Sequence, residues 1–293
     1  MRRLWRFADE RGFDWFSVSD HFQETPPQTG DGDCFESVST MAALAAETTH
    51  VRVGCLVFCA AYRHPGVLAK AITTIDHLSG GRVDCGIGAG WDEAEFVSYG
   101  IRFASIGERE DQLEEYAAVL RLLLGSDRSD FSGKHYRLVN APNNPKPLQQ
   151  RLPLWIGGSG EKRTLRTAAR FADGWNAPYL APADWTRKSR ILDQWCEKVG
   201  RDPGEIARTI NIGFYMGADA RGVARHEALY QKHWAADERG MTGFLRGTAT
   251  QAGDVVAAFR DAGAYRINIA LREGPYDWDA LEAFATQVMP HFT

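Results

Sequence analysis

One regularity limits what this chain can fold into. Short apolar runs alternate with longer amphipathic stretches, and glycine-rich or polar turns separate them. Strand-like runs begin near Phe13, Val51, Arg82, Leu152, Gly174, Thr209 and Tyr265. Helix-like stretches follow at residues 34–48, 66–78, 106–124, 161–171, 182–199, 222–234 and 250–263, and the chain opens on a helix at 2–11 and ends on one at 278–289. Strands that are each followed by a helix predict a parallel sheet with helices outside it. Its closed form, the (β/α)8 TIM barrel, needs eight strands. Only seven are legible, and the first element is a helix. The expectation is therefore one α/β barrel domain over residues 1–293, lacking its first β-strand, which would lie upstream of Met1. Two insertions are expected on it, a small hairpin near 131–139 and a lid-like segment near 222–246.

Composition removes several function classes. The 293 residues are 44% hydrophobic and 25% charged, with a formal net charge of −4. That balance argues against nucleic acid or an anionic membrane as an obligate partner. No apolar run approaches the ~20 residues of a membrane span. The five cysteines, Cys34, Cys55, Cys59, Cys85 and Cys196, form no C-x-x-C pair. Three of them sit in or beside apolar runs, where a reduced thiol behaves as a small hydrophobe. A cytoplasmic location is expected.

In a barrel, ligands bind at the C-terminal ends of the strands. Those ends carry Ser19-Asp20-His21, Leu56-Val57-Phe58-Cys59, Gly88-Ala89-Gly90-Trp91, Gly157-Gly158-Ser159-Gly160, Trp175-Asn176 and Leu271-Arg272. Glycines there bare backbone N–H groups and admit a phosphate or a flat ring. The same loops also fit tight strand-to-helix turns with no ligand. The loop 157–160 is the better phosphate candidate, because the helix expected from Glu161 would aim its N-terminus at an anion. Arg163 and Arg166 could reach such a tail or form a solvated basic face. His21 can exchange a proton near neutral pH, or be a structural histidine bonded to Asp20. Glu93 and Glu95 follow Trp91 and could supply a carboxylate beside His21. No His-x-His pattern favours a metal hydrolase, and no metal is expected.

Several stretches together resemble a known family: SDHF at 19–22, YRHPGVLAK at 62–70, DHLSGGRVDCGIGAGW at 76–91, NPKP at 144–147, IGGSGEKRTLRTAARFADGWN at 156–176 and GRDP at 200–203. They resemble the bacterial luciferase-like superfamily, and within it the oxidoreductases that use the deazaflavin coenzyme F420. The resemblance implies a barrel with insertions, homodimeric, with the ring in its mouth. It implies that Asp20 and His21 lie beside that ring, His21 being the acid–base group. It places a non-prolyl cis peptide at Leu56-Val57, and Cys59 where some members carry a threonine that touches the cofactor. Ala89, Gly90, Ser159 and Gly160, with Gly157 and Gly158, match segments that take the phosphate and its chain. Phe58, Trp91, Trp175 and the 225–246 segment would line the substrate pocket, with Arg225, His226, Tyr230, His233, Trp234 and Arg246 as lid candidates. In sugar-phosphate dehydrogenases of this group a catalytic glutamate follows the second glycine, and here that residue is Trp91. The leading expectation is hydride transfer between F420 and a small organic substrate. Two alternatives stay open: an FMN-dependent monooxygenase fed by a separate flavin reductase, and a non-catalytic flavin-binding or partner subunit.

Overall fold

The computed structural model describes residues 1–24, 30–234, 240–271 and 276–292. The parallel strands are β1 (Trp15–Val18), β2 (Arg52–Cys59), β3 (Val83–Gly88), then, after an antiparallel hairpin of β4 (Arg128–Ser132) and β5 (Arg137–Pro142), β6 (Leu154–Gly157), β7 (Gly174–Pro178), β8 (Ala207–Met216), β9 (Phe244–Gly247) and β10 (Arg266–Ala270). The sheet runs β1-β2-β3-β6-β7-β8-β10, every pairing parallel, with β9 on the C-terminal half of β8. All seven strands read from the sequence are present in this sheet, and the hairpin is where the sequence placed it. β9 was not anticipated, because its four residues sit in a glycine-bearing stretch with no clear period.

The helices between the strands are α1 (Arg2–Glu10), α2 (Ser37–Glu47), α3 (Pro65–Ser79), α4 (Glu93–Ser98), α5 (Ile106–Gly125), α6 (Thr164–Phe171), α7 (Pro182–Val199), α8 (Ala220–Trp234), α9 (Ala249–Asp261) and α10 (Trp278–Ala283). Their ends follow local chemistry. Pro65 opens α3 at a position where its missing N–H is no loss, and Gly80 closes it in the left-handed region at φ 69°. Thr248 and Gln251 form a reciprocal capping box at α9. Among the described residues no helix is long and apolar enough to cross a membrane.

The ends of the sheet path meet at the N-terminal ends of the strands. β1 and β10 do not pair among the described residues, yet the Arg266 guanidinium lies 4.2 Å from the Trp15 ring and 4.7 Å from the Trp155 ring. The sheet therefore curls on itself, as in a barrel with one strand position open between β10 and β1. Glycines make room for both indoles: a Cβ at Gly54 would lie 2.6 Å from Trp15, and one at Gly174 2.1 Å from Trp155. Buried Asp84 on β3 completes the plug, 3.6 Å from Arg266 and bonded to Arg52 Nε at 3.1 Å. A cation between two aromatic faces with a carboxylate beside it is a favourable way to bury charge.

At the other end of the sheet, β2 carries a non-prolyl cis peptide at Leu56-Val57, where the β2–β3 register shifts between Cys55 and Phe58. The sequence comparison had placed the bond there. The Val57 side chain packs against β3 and β6, and the glycines of those strands receive it. A Cβ at Gly88 or at Gly157 would come within 2.6 Å of a Val57 methyl, and one at Gly86 within 2.3 Å of the Cys55 carbonyl. The glycine-rich strand ends are thus required by packing before any ligand is considered.

Gly157→Ala is expected to lower stability by about 1–3 kcal/mol through this overpacking. Pairing it with Val57→Ala should recover most of the loss in a urea-denaturation double-mutant cycle. Additive losses would show that Val57 is not the obstacle.

Candidate active site

Asp20, just beyond β1, is buried and saturated. It accepts from Ser37 Oγ at 2.5 Å, from the Cys59 N–H at 2.8 Å and from both Arg63 Nη atoms at 2.6 and 2.8 Å. Burial alone would lower the Arg63 pKa, but the hydrogen bonds and charge of Asp20 outweigh it and raise it. This carboxylate ties the ends of β1 and β2 to α2. Protein donors thus occupy both of its oxygens, which gives Asp20 a structural part at the place where the resemblance puts it beside the cofactor.

His21 is placed by a different carboxylate. Its Nδ1 lies 2.9 Å from Glu95 Oε2, and its side chain keeps 18% of its surface exposed. Glu95, wholly buried on α4, accepts from the N–H groups of Phe22 and Gln23 at 3.0 Å each and from Tyr62 Oη at 2.9 Å. Burial pushes its pKa up, yet the bonds from His21, Gln23 and Tyr62 win and hold it below the usual carboxylate value. Buried Asp92 behaves in the opposite sense: desolvation, aided by the charge on Glu95, raises it. His21, Asp92 and Glu95 each bring a ligand atom within 4.8 Å of one another, a spacing a divalent ion could use. Each Glu95 oxygen already accepts two hydrogen bonds, so the group reads as a proton network. Trp91, 46% exposed, stands edge-on to His21 with ring centroids 5.7 Å apart.

The remaining candidates divide. Leu56, Val57, Ala89, Gly90 and the loop 157–159 are half-buried at the strand ends, and Gly160 is exposed. Cys59 is buried, and desolvation pushes its thiol up to about 12; its Sγ packs where a Cβ on Gly90 would lie, 2.7 Å away. Phe58 and Trp175 have no exposed surface, which corrects their placement as pocket-lining residues. Trp175 instead donates to the Gly158 carbonyl at 2.7 Å and stacks on Trp185. Trp234 is also buried and donates to Tyr215 Oη at 2.5 Å, His226 bonds Asp277 at 2.9 Å, and Arg246 pairs with Glu227 and covers the Tyr230 ring. His233 is half-buried on α8. Residues 235–239 of the expected lid, and Arg272, lie outside the described residues.

The loop 157–160 leads into α6 only at Thr164, three residues later than the sequence implied. The N–H groups of Ser159 and Gly160 donate no hydrogen bond among the described residues. Arg163 pairs with Asp111, and Arg166 with Glu114 at 2.6 Å, so neither is spare for an anion. Lys188 on α7 is the cation at this loop, 2.9 Å from the Ser159 carbonyl and from Glu161. Arg109 stands behind the other loop, bonded to the carbonyls of Gly90 and Ala104. Tyr62, Arg63, Arg109 and Lys188 were missed. Tyr62 and Arg63 lie in a motif quoted for its likeness, but nothing in spacing alone tells which carboxylate each meets.

A family description of luciferase-like monooxygenase matches residues 1–283. An uncharacterised protein of Mycobacterium tuberculosis is 32% identical over 269 residues, 87% of this chain and 89% of that one. The F420-dependent glucose-6-phosphate dehydrogenase of Nakamurella multipartita is 34% identical over 233 residues, 78% of this chain but only 66% of that enzyme. Among solved structures, an F420-dependent secondary alcohol dehydrogenase in complex with an F420-acetone adduct superposes with a TM-score of 0.85 at 21% identity, over 98% of this chain and 93% of that one. At that identity the likeness is one of fold.

Asp20→Asn should destabilise the protein by about 3–5 kcal/mol, because it leaves the Arg63 charge buried without its partner. Thermal or urea unfolding measures this, and a loss confined to cofactor affinity would restore a ligand-binding role to Asp20.

Proposed function

The chain belongs to the luciferase-like monooxygenase family, and from that premise we propose that it is an oxidoreductase moving a hydride between the deazaflavin coenzyme F420 and a small organic substrate, with His21 handling the proton. The observation that carries this reading is the His21–Glu95 pair at the mouth of the sheet. The residues present fit a flat ring with an anionic tail. Half-buried Leu56 and Val57 offer an apolar floor, the loops 89–90 and 157–160 leave backbone accessible, and the Ser159 and Gly160 amides with nearby Lys188 suit a negative charge. When bound, such a cofactor accepts or gives a hydride as a two-electron unit.

The chain's own share is position and proton transfer. His21 holds or releases a proton at the ring nitrogen not engaged by Glu95. Trp91 walls the space beside it, where the resemblance leads one to expect a glutamate. The Nakamurella relative is named for a sugar phosphate; Trp91 in that position favours a less polar substrate. Homodimerisation and a cytoplasmic location belong to the same reading. The second reading, an FMN-dependent monooxygenase supplied by a separate flavin reductase, rests on the family's description and on the same apolar floor.

Fluorescence-quenching titrations with F420 and with FMN separate the two. Tight binding of F420 is expected, and binding of FMN alone would overturn the leading reading. His21→Ala should leave F420 affinity intact and lower turnover about 10²–10⁴-fold, followed through the deazaflavin absorbance with a panel of alcohols, carbonyl compounds and activated alkenes.

A further inference from the structure

The side chain beneath His21 is built with more care than a helix-start glutamate needs. Glu95 has no exposed surface and spends both oxygens on four donors. The two main-chain donors, from Phe22 and Gln23, lock it to the segment that carries His21. Tyr62, the donor on the other oxygen, is itself clamped between Phe22 at 4.5 Å and Phe96 at 5.0 Å between ring centroids. Phe22 also packs on Tyr99 at 4.5 Å. The backbone of His21 is held in turn, its carbonyl accepting from Cys34 Sγ at 3.2 Å.

An ionised carboxylate only accepts hydrogen bonds, so the proton in the His21–Glu95 bond sits on Nδ1. That leaves Nε2 as the ring nitrogen without a hydrogen-bond partner among the described residues. The Trp91 edge contact restricts turning of the ring. We propose that Glu95, oriented by Tyr62 and the Phe22 and Gln23 amides, is the positioning residue that fixes His21 as its Nδ1–H tautomer and presents Nε2 for proton exchange with substrate. This rests on the reading of His21 as the proton-transfer group. Glu95 does not touch substrate in this arrangement. It acts through His21, and it does so at any pH where its own carboxylate stays charged.

Two measurements test it, one of which needs no cofactor. In 15N-imidazole NMR of the cofactor-free full chain at slightly alkaline pH, Nδ1 of His21 should be protonated and Nε2 bare. A bare Nδ1 in the wild type would overturn the proposal by itself, whether or not any variant folds. In Glu95→Gln the amide oxygen can still accept from Phe22 and Gln23, while its NH2 faces Nδ1 and should invert the tautomer. The expected kinetic consequence is a kcat lower by ~10²–10⁴-fold, with F420 affinity changed by less than about twofold. Glu95→Asp should restore the native tautomer and part of the rate. An unchanged tautomer in Glu95→Gln, or an inverted one with unchanged kcat, would reduce Glu95 to a structural role. Full turnover in His21→Ala would instead refute the function assigned to His21 while leaving the tautomer result standing, so the two failures are distinguishable.

Discussion

The mouth of this barrel depends on one buried ion pair. Asp20 and Arg63 are both largely removed from water, with side-chain exposures of 3% and 15%. A charge so placed is tolerated only if its partners are complete. Completing them requires Ser37 at the head of α2 and the Cys59 amide at the end of β2 to converge on the end of β1. The pair therefore fixes where β1 stops and where the next residue, His21, emerges. A neighbouring carboxylate then does the chemical orienting. Two adjacent residues that look like one Asp-His unit in the sequence are thus served by separate networks, Asp20 by Arg63 and His21 by Glu95.

The glycines tell a similar story of two demands met by one residue type. Gly86, Gly88 and Gly157 are needed because Val57 and the Cys55 carbonyl occupy the space a Cβ would fill. Gly90 is needed for its φ of 77° and for its contact with Cys59 Sγ and the Phe96 ring. Packing accounts for these positions without any ligand. What packing does not account for is the exposure of the loop's backbone, since among the described residues the Ser159 and Gly160 amides find no acceptor while the basic side chains around them are paired off with carboxylates of α5 and with Glu161. On the proposed reading this loop would take an anion through backbone dipoles more than through net charge.

Strand and helix alternation was legible because it depends on local periodicity, and the seven parallel strands and the hairpin follow from it. Elements too short for a period escaped: α4, with six residues, and β9, with four. The start of α6 slipped because Glu161 looks like a first-turn acid, whereas it is drawn off to Arg187 and Lys188 on α7. At the site, His21 was legible from its place after a strand, and Glu95 only as one of two carboxylates near enough to matter. Choosing between Glu93 and Glu95 required knowing that a short helix turns Glu95 inward and leaves Glu93 exposed. Phe58 and Trp175 were misplaced for a related reason. Strand residues alternate in direction, and without the register neither could be assigned to the mouth or to the core.

The position of the carboxylate also limits the chemistry. Glu95 lies beneath His21, fully buried, and the residue beside the substrate space is Trp91. On the proposed reading His21 exchanges the proton with substrate, backed by Glu95, and buried Asp92 lies in the same cluster. Reduction of a carbonyl carbon by hydride needs one proton on oxygen, and its reverse needs one proton removed. On the proposed reading His21 serves both directions, giving that proton in one and taking it in the other. An aromatic wall where the resemblance leads one to expect a carboxylate thus favours, on the proposed reading, a single proton transfer coupled to the hydride.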